Sequence, residues 1–132
     1  MKDVKVLDSW ALLAYFEGEK AGMKVKEILK ETGREKRLLL SAIQFGEILY
    51  VIEGRHGKEK KEEVRHLIEQ MPIEVIDADK EAASQAAHLK AAKKLPYGDS
   101  FAAALALSHK AELVTGDKDF RCVADQINIL WL

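Results

Sequence analysis

Apolar residues follow two rhythms along this chain. Short runs at residues 4–7 (VKVL), 37–40 (RLLL), 73–76 (IEVI) and 113–115 (LVT) alternate with longer segments whose apolar residues recur every three or four positions. The short runs read as strands buried on both faces of a parallel sheet, and the longer segments as helices with one apolar stripe. Trp10, Leu12, Leu13 and Phe16 predict a short helix that Gly18 ends. A second helix over residues 21–32 carries Met23, Val25, Ile28 and Leu29, with Gly33 supplying a left-handed residue past its end. Ser41 to Gln44 spell S-x-x-Q, a capping box for a third helix bearing Ile43, Phe45, Ile48, Leu49 and Ile52, which Gly54 and Gly57 close. A strongly charged helix follows, with Val64, Leu67, Ile68 and Met71 facing inward.

Pro72 introduces the third strand, and Asp77 or Asp79 caps an alanine-rich helix that runs to about residue 95, where Pro96 stops it. Asp99 stands just ahead of a helix of small apolar residues, and residues 128–130 predict a fifth, terminal edge strand. Alternating strands and helices imply right-handed crossovers. The expected architecture is α/β: a three-layer α/β/α sandwich around a five-stranded, mainly parallel sheet, with residues 1–132 forming one domain.

Composition narrows the function classes. The 132 residues are 48% hydrophobic, and 21 basic against 22 acidic side chains leave a net charge of −1. There is no global basic field, so any nucleic-acid contact must come from a local patch. The lone Cys122 excludes an internal disulfide and a multi-cysteine metal site, and it is expected to be a small buried apolar residue. No leader-like or membrane-spanning run is present in the sequence, so a soluble, cytoplasmic protein without a membrane partner is expected. Lysine and glutamate are abundant while Asn128 is the sole asparagine, a bias that hyperthermophile proteins show.

The acidic residues carry the chemistry. Asp8 ends the first strand, Asp117 and Asp119 follow the fourth, Asp99 opens a helix, and Glu47 lies among apolar neighbours, with Ile43 and Tyr50 on its side of the helix. That spacing puts Glu47 near the inward face. The carboxyl ends of parallel strands, where strand order reverses, form the ligand crevice of such folds. Asp8 taken alone reads as a helix cap; the recurrence of the placement points to a site. Two carboxylates ~5 Å apart at an effective dielectric of ~20 repel by roughly 3 kcal/mol, so a converged set must protonate or hold cations. Replacing Asp8 or Asp99 by Asn is therefore expected to raise metal-free stability. Oxygen ligands without a His or Cys cluster favour Mg²⁺ or Mn²⁺ over zinc, and phosphoester hydrolysis is the reaction they suit.

Other candidates have plainer roles. The four histidines lack metal-ligand spacing, Trp10 and Phe16 read as core or dimer-contact residues, and Lys118 as an exposed loop residue. Arg34, Lys36 and Arg37 lie at the amino end of the second strand, the wrong end for the site.

Four segments, VLDSWALLAYFEGE, LSAIQFGEILY, PYGDSFAAALA and AELVTGDKDF, resemble the acidic blocks of the PIN-domain ribonucleases, specifically the VapC toxins of type II toxin–antitoxin pairs. The resemblance runs from Val6 to Phe120 in the family's order. It implies Mg²⁺- or Mn²⁺-dependent endonucleolytic cleavage of RNA, a homodimer, and inhibition by a cognate antitoxin. It carries over Asp8, Glu47, Asp99 and Asp117 as the catalytic, metal-binding quartet. Asp119 matches an auxiliary position, and Ser9 and Thr115 match hydroxyl positions beside the first and fourth acids. Gly98 departs from the pattern, which more often has a small side chain there.

Two other enzyme classes fail on residues. A haloacid-dehalogenase-type phosphatase needs a second Asp two residues after the first, where this chain has Trp10, and a receiver domain needs paired acids after the first strand. The competing non-enzymatic reading is a catalytically silent PIN-like binding module whose acids meet a partner's arginines.

Overall fold

The computed structural model describes residues 3–132. Its elements run β1 (Asp3–Leu7), α1 (Ser9–Phe16), α2 (Ala21–Glu31), β2 (Lys36–Ser41), α3 (Ala42–His56), α4 (Lys58–Gln70), β3 (Glu74–Ile76), α5 (Lys80–Lys93), α6 (Tyr97–His109), β4 (Glu112–Thr115), a 3₁₀ turn (Lys118–Val123) and β5 (Ile129–Trp131). The strands form one sheet in the order β3-β2-β1-β4-β5, and every neighbouring pair is parallel. The chain builds outward from β1 to β2 and β3, then returns to β1's other side for β4 and β5. The strand order therefore reverses between β1 and β4, and the crevice at their carboxyl ends is the fold's natural binding position.

Side chains alternate across the sheet, so each strand feeds two cores. Val6, Leu39 and Leu113 point into one, with Leu89, Leu95, Phe120 and the alanines Ala102, Ala103, Ala104 and Ala106 of α6. Leu7, Leu38, Leu40 and Val114 point into the other, with Leu12, Val25, Ile48, Ile52, Val64 and Ile68 from the first four helices. Burial on both faces explains why β1 and β2 read as apolar runs rather than as alternating patterns.

Several local expectations change. Gly33 is not left-handed: α2 ends with Thr32 in an extended conformation, and the Thr32 hydroxyl donates back to the Ile28 carbonyl at 2.8 Å. Positive φ occurs instead at Gly18 (69°) and Gly57 (92°), where the chain turns after α1 and α3. Leu67 is exposed and Met71 only half-buried, because Val64 and Ile68 alone fill the inward stripe of α4. Asp79, not Asp77, caps α5 by accepting from the Ala82 amide at 2.9 Å. That helix stops at Lys93 on a left-handed Lys94, ahead of Pro96. The fifth strand begins one residue later than expected. Cys122 is exposed rather than buried, because it lies on the outer side of the 3₁₀ turn whose Phe120 and Val123 face the core.

The α1–α2 corner allows a packing test. A Cβ on Gly22 would come within 2.6 Å of the Ala14 carbonyl oxygen and the Tyr15 Cα, whereas one on the exposed, helical Gly54 meets nothing within 4 Å. Alanine gains up to about 1 kcal/mol over glycine in a helix interior, but forcing backbone apart costs roughly 1–3 kcal/mol. In urea denaturation, Gly54→Ala should stabilise by about 0.5–1 kcal/mol. Gly22→Ala should destabilise, and equal midpoints for the two variants would refute the close approach.

Candidate functional site

Asp8 is the first residue after β1 and is 1% exposed. Its Oδ1 accepts from the Ala11 amide at 2.9 Å, so it does cap α1, and its Oδ2 accepts from the Thr115 hydroxyl at 2.5 Å. One side chain thus caps α1 and ties the end of β1 to the end of β4. Thr115, the last residue of β4, also accepts from the Asp117 amide at 2.9 Å. A single hydroxyl thereby couples the ends of the two central strands to the loop beyond. Asp117 in turn caps the 3₁₀ turn, accepting from the Asp119 amide at 2.9 Å.

Asp99 is the third residue of α6, inside its first turn rather than ahead of the helix. The partial positive charge of a helix start favours a carboxylate there. Asp99, Asp117 and Asp119 each present a carboxylate oxygen, and the three atoms lie within 4.8 Å of one another. Asp119, expected only as an auxiliary residue, is therefore a full member of the closest cluster. Asp8 and Glu47 stand outside it, with oxygens engaged elsewhere, though Asp8 feels the charges of Asp99 and Asp117, and Asp99 feels that of Glu47.

Glu47 is half-buried, and its Oε1 accepts from the Ser9 hydroxyl. Helical spacing predicts an inward face for Glu47, but Ile43 and Tyr50 on the same stripe of α3 are exposed, and Glu47 is held at the site's edge by Ser9. Ser9 is not a cap, since Asp8 occupies that position.

The S-x-x-Q pattern assigns Gln44 to a capping box. Ser41 does cap α3, accepting from the Ile43 amide at 3.2 Å, but Gln44 does not reach back to it. Fully buried, Gln44 instead accepts from the Ser9 amide at 2.6 Å and donates to the Gly98 carbonyl at 2.8 Å. The signal available in the sequence was a glutamine one turn before Glu47 on a helix otherwise apolar on its buried side.

Two glycines bound the site. A Cβ on Gly116 would lie 2.3 Å from the Trp10 ring, so the indole rests directly on the backbone that leads into Asp117. At Gly98 a Cβ would stand 3.8 Å from Gln44 Nε2 and Glu47 Oε2, an ordinary contact, so the departure from the family pattern there reflects no steric need. A separate cleft of about 220 Å³ lies along α5 and α6 near Ile76 and Asp79 and contains none of the five acids.

Burial pushes the Asp8 carboxyl up to about 7; the Thr115 hydroxyl and Ala11 amide oppose this, while Asp99 and Asp117 reinforce it. Asp99 is likewise raised to about 7, first by burial and then by Asp117, Glu47 and Asp119. Near neutral pH the set is short of positive charge, and either protons or a cation can supply it.

The PIN domain family profile matches residues 5–126. No protein of curated function matches the sequence. Among solved structures, the chain is similar to VapBC-1 from nontypeable Haemophilus influenzae, with a TM-score of 0.76 at 18% identity over 97% of both chains. It is also similar to VapBC2 from Rickettsia felis bound to a promoter DNA fragment, with a TM-score of 0.75 at 17% identity over 98% of both. A third is VapC20 from Mycobacterium tuberculosis, a sarcin–ricin loop cleaving toxin, with a TM-score of 0.75 at 13% identity over 90% of this chain and 94% of that one. At these identities the likeness establishes the shared fold.

The raised carboxyls fix a sign for pH dependence. Both aspartates start from 3.8 and rise to about 7 on folding. The folded protein holds protons that the unfolded chain releases, so their stabilising contribution is complete below about pH 4 and is lost as pH rises through 7. In EDTA, Asp99→Asn should flatten the decline in stability between pH 5 and 8 by on the order of 1 kcal/mol, after allowance for solvent screening. It should also raise stability at pH 8. Asp8→Asn should gain less, because one amide oxygen cannot take over both hydrogen bonds accepted by Asp8. Urea midpoints across this range provide the measurement, and parallel pH profiles for wild type and Asp99→Asn would contradict the assignment.

Proposed function

Because this chain belongs to the PIN-domain family, whose members are nucleases, we propose that it is a Mg²⁺- or Mn²⁺-dependent endoribonuclease, the VapC-type toxin of a type II toxin–antitoxin pair. The observation that carries this reading is the meeting of three carboxylates, from α6 and from the start of the 3₁₀ turn after β4, at the strand-order reversal, with a fourth buried beside them and a fifth at the edge. The donor set fits a hard divalent cation: oxygen atoms only, in mutual reach, with the Asp99 carboxyl raised to about 7 by burial and by its acidic neighbours. Asp99, Asp117 and Asp119 would hold the ion, with Asp8 and Glu47 completing the acidic surroundings. Such an ion supplies Lewis-acid stabilisation to a phosphodiester undergoing attack.

The protein's own groups set the conditions for that chemistry. Uncompensated, this cluster repels the phosphates of RNA, so substrate approach and site neutralisation are linked. Thr115 holds Asp8 rigidly at the end of β1, and Ser9 keeps Glu47 turned toward the site. The same carboxylates are natural partners for arginines of a cognate antitoxin, which would occupy the site in place of substrate. The VapBC complexes of the same fold are consistent with this pairing, and a homodimer is the assembly proposed. None of the helices described is long and apolar enough to cross a membrane; the proposed setting is the cytoplasm.

Incubating purified protein with total RNA, followed by mapping of new ends, tests the proposal. Discrete cleavage should appear with Mg²⁺ or Mn²⁺ and disappear in EDTA. Asp99→Asn should lose at least roughly 100-fold in rate, the upper end of what is lost when only a partner of a metal ligand is removed. Full cleavage by protein shown to be metal-free would refute the mechanism. Absence of cleavage with metal present would favour the silent binding module.

A further inference from the structure

Gln44 is the one fully buried polar side chain of α3, and both ends of its amide are used across layers. Its Oε1 takes the Ser9 amide, the peptide group immediately after Asp8, and its Nε2 gives to the Gly98 carbonyl, the peptide group immediately before Asp99. Only this orientation of the amide satisfies both partners, since a donor faces one end and an acceptor the other. The two helices so joined pack into different cores: α1 with Leu7 and Val114, α6 with Val6 and Leu113. One turn further along α3, Glu47 accepts from the hydroxyl of that same Ser9. A Cβ added at Gly98 would stand 3.8 Å from both Gln44 Nε2 and Glu47 Oε2, so all three residues meet at this point. An apolar side chain at position 44 would fill this interior without the desolvation that an amide requires.

We propose that Gln44 is a positioning residue: it fixes the separation of the two helix starts that carry Asp8 and Asp99, and thereby sets the affinity of the site for its divalent cation. The acids repel one another, and the Gln44 bridge links their backbones directly from a third helix. This rests on the metal-dependent reading of the site.

Mn²⁺ titration with detection of the free ion by electron paramagnetic resonance measures the effect without recourse to activity. Gln44→Met keeps length and volume but removes both hydrogen bonds, and it should weaken Mn²⁺ binding roughly 10–100-fold. Ile52→Val loosens the buried face of the same helix two turns away from the bridge, and it should bind as wild type does although it too lowers stability in urea. Asp99→Asn serves as the reference for loss of a ligand. Should Gln44→Met not fold, Gln44→Asn, polar but too short to span both partners, should weaken binding in the same direction. If the Gln44 variants bind like wild type while Asp99→Asn is impaired, the positioning role is refuted and the metal reading stands. If wild type fails to bind Mn²⁺, or binds no better than Asp99→Asn, the metal reading falls and the positioning role with it.

Discussion

The hydrogen bond from Thr115 to Asp8 joins residues 107 positions apart, and the site depends on it. A carboxyl 1% exposed at the end of the central strand is tolerable only when its oxygens are occupied. Here one oxygen takes a helix-start amide and the other a hydroxyl from the neighbouring strand. The amide is local, but the hydroxyl is in reach only if β4 lies directly beside β1, which the parallel register Leu7↔Val114 provides. Strand adjacency and burial of the first acid are thus one constraint.

The crowding of acids around that point works against stability. Burial and mutual repulsion push Asp8 and Asp99 in the same direction, toward holding protons. The surrounding structure supplies the rigidity that withstands this. The alanines of α6 let that helix lie close on the sheet, and the Trp10 ring presses on Gly116 to hold the loop bearing Asp117 and Asp119. Active sites commonly retain such tension because relieving it removes the function.

Helix α3 connects the layers. Ile48 and Ile52 anchor it in one core, while Gln44 and Glu47 reach Ser9 at the start of α1, and Gln44 also reaches Gly98 at the start of α6. The helix thus has an apolar anchor and a polar end directed at the acids. Its exposed stripe carries Ile43 and Tyr50, and the Tyr50 hydroxyl donates to Glu47 Oε2 at 3.5 Å.

The alternation of apolar runs with helical stripes was enough to determine the α/β architecture, because burial on both faces of a parallel sheet leaves a nearly continuous apolar record in β1 and β2. The recurrence of acids at strand ends and helix starts likewise marked Asp8, Asp99 and Asp117, since those positions are defined locally. What the sequence could not determine was which partner each polar group would find. The S-x-x-Q pattern is local, yet Gln44 is satisfied by residues 35 and 54 positions away. Glu47 was placed by helical spacing relative to Ile43 and Tyr50, but the deciding contact comes from Ser9 on another helix. Cys122 is apolar by type and exposed by placement, because the core around the 3₁₀ turn is already filled by Phe120 and Val123. Asp119 ranks with Asp99 and Asp117 only because the turn folds it back onto α6. Periodicity is a property of the local chain and can be read from it, whereas hydrogen-bond satisfaction in a buried site is decided between elements, once tertiary packing has brought their ends together.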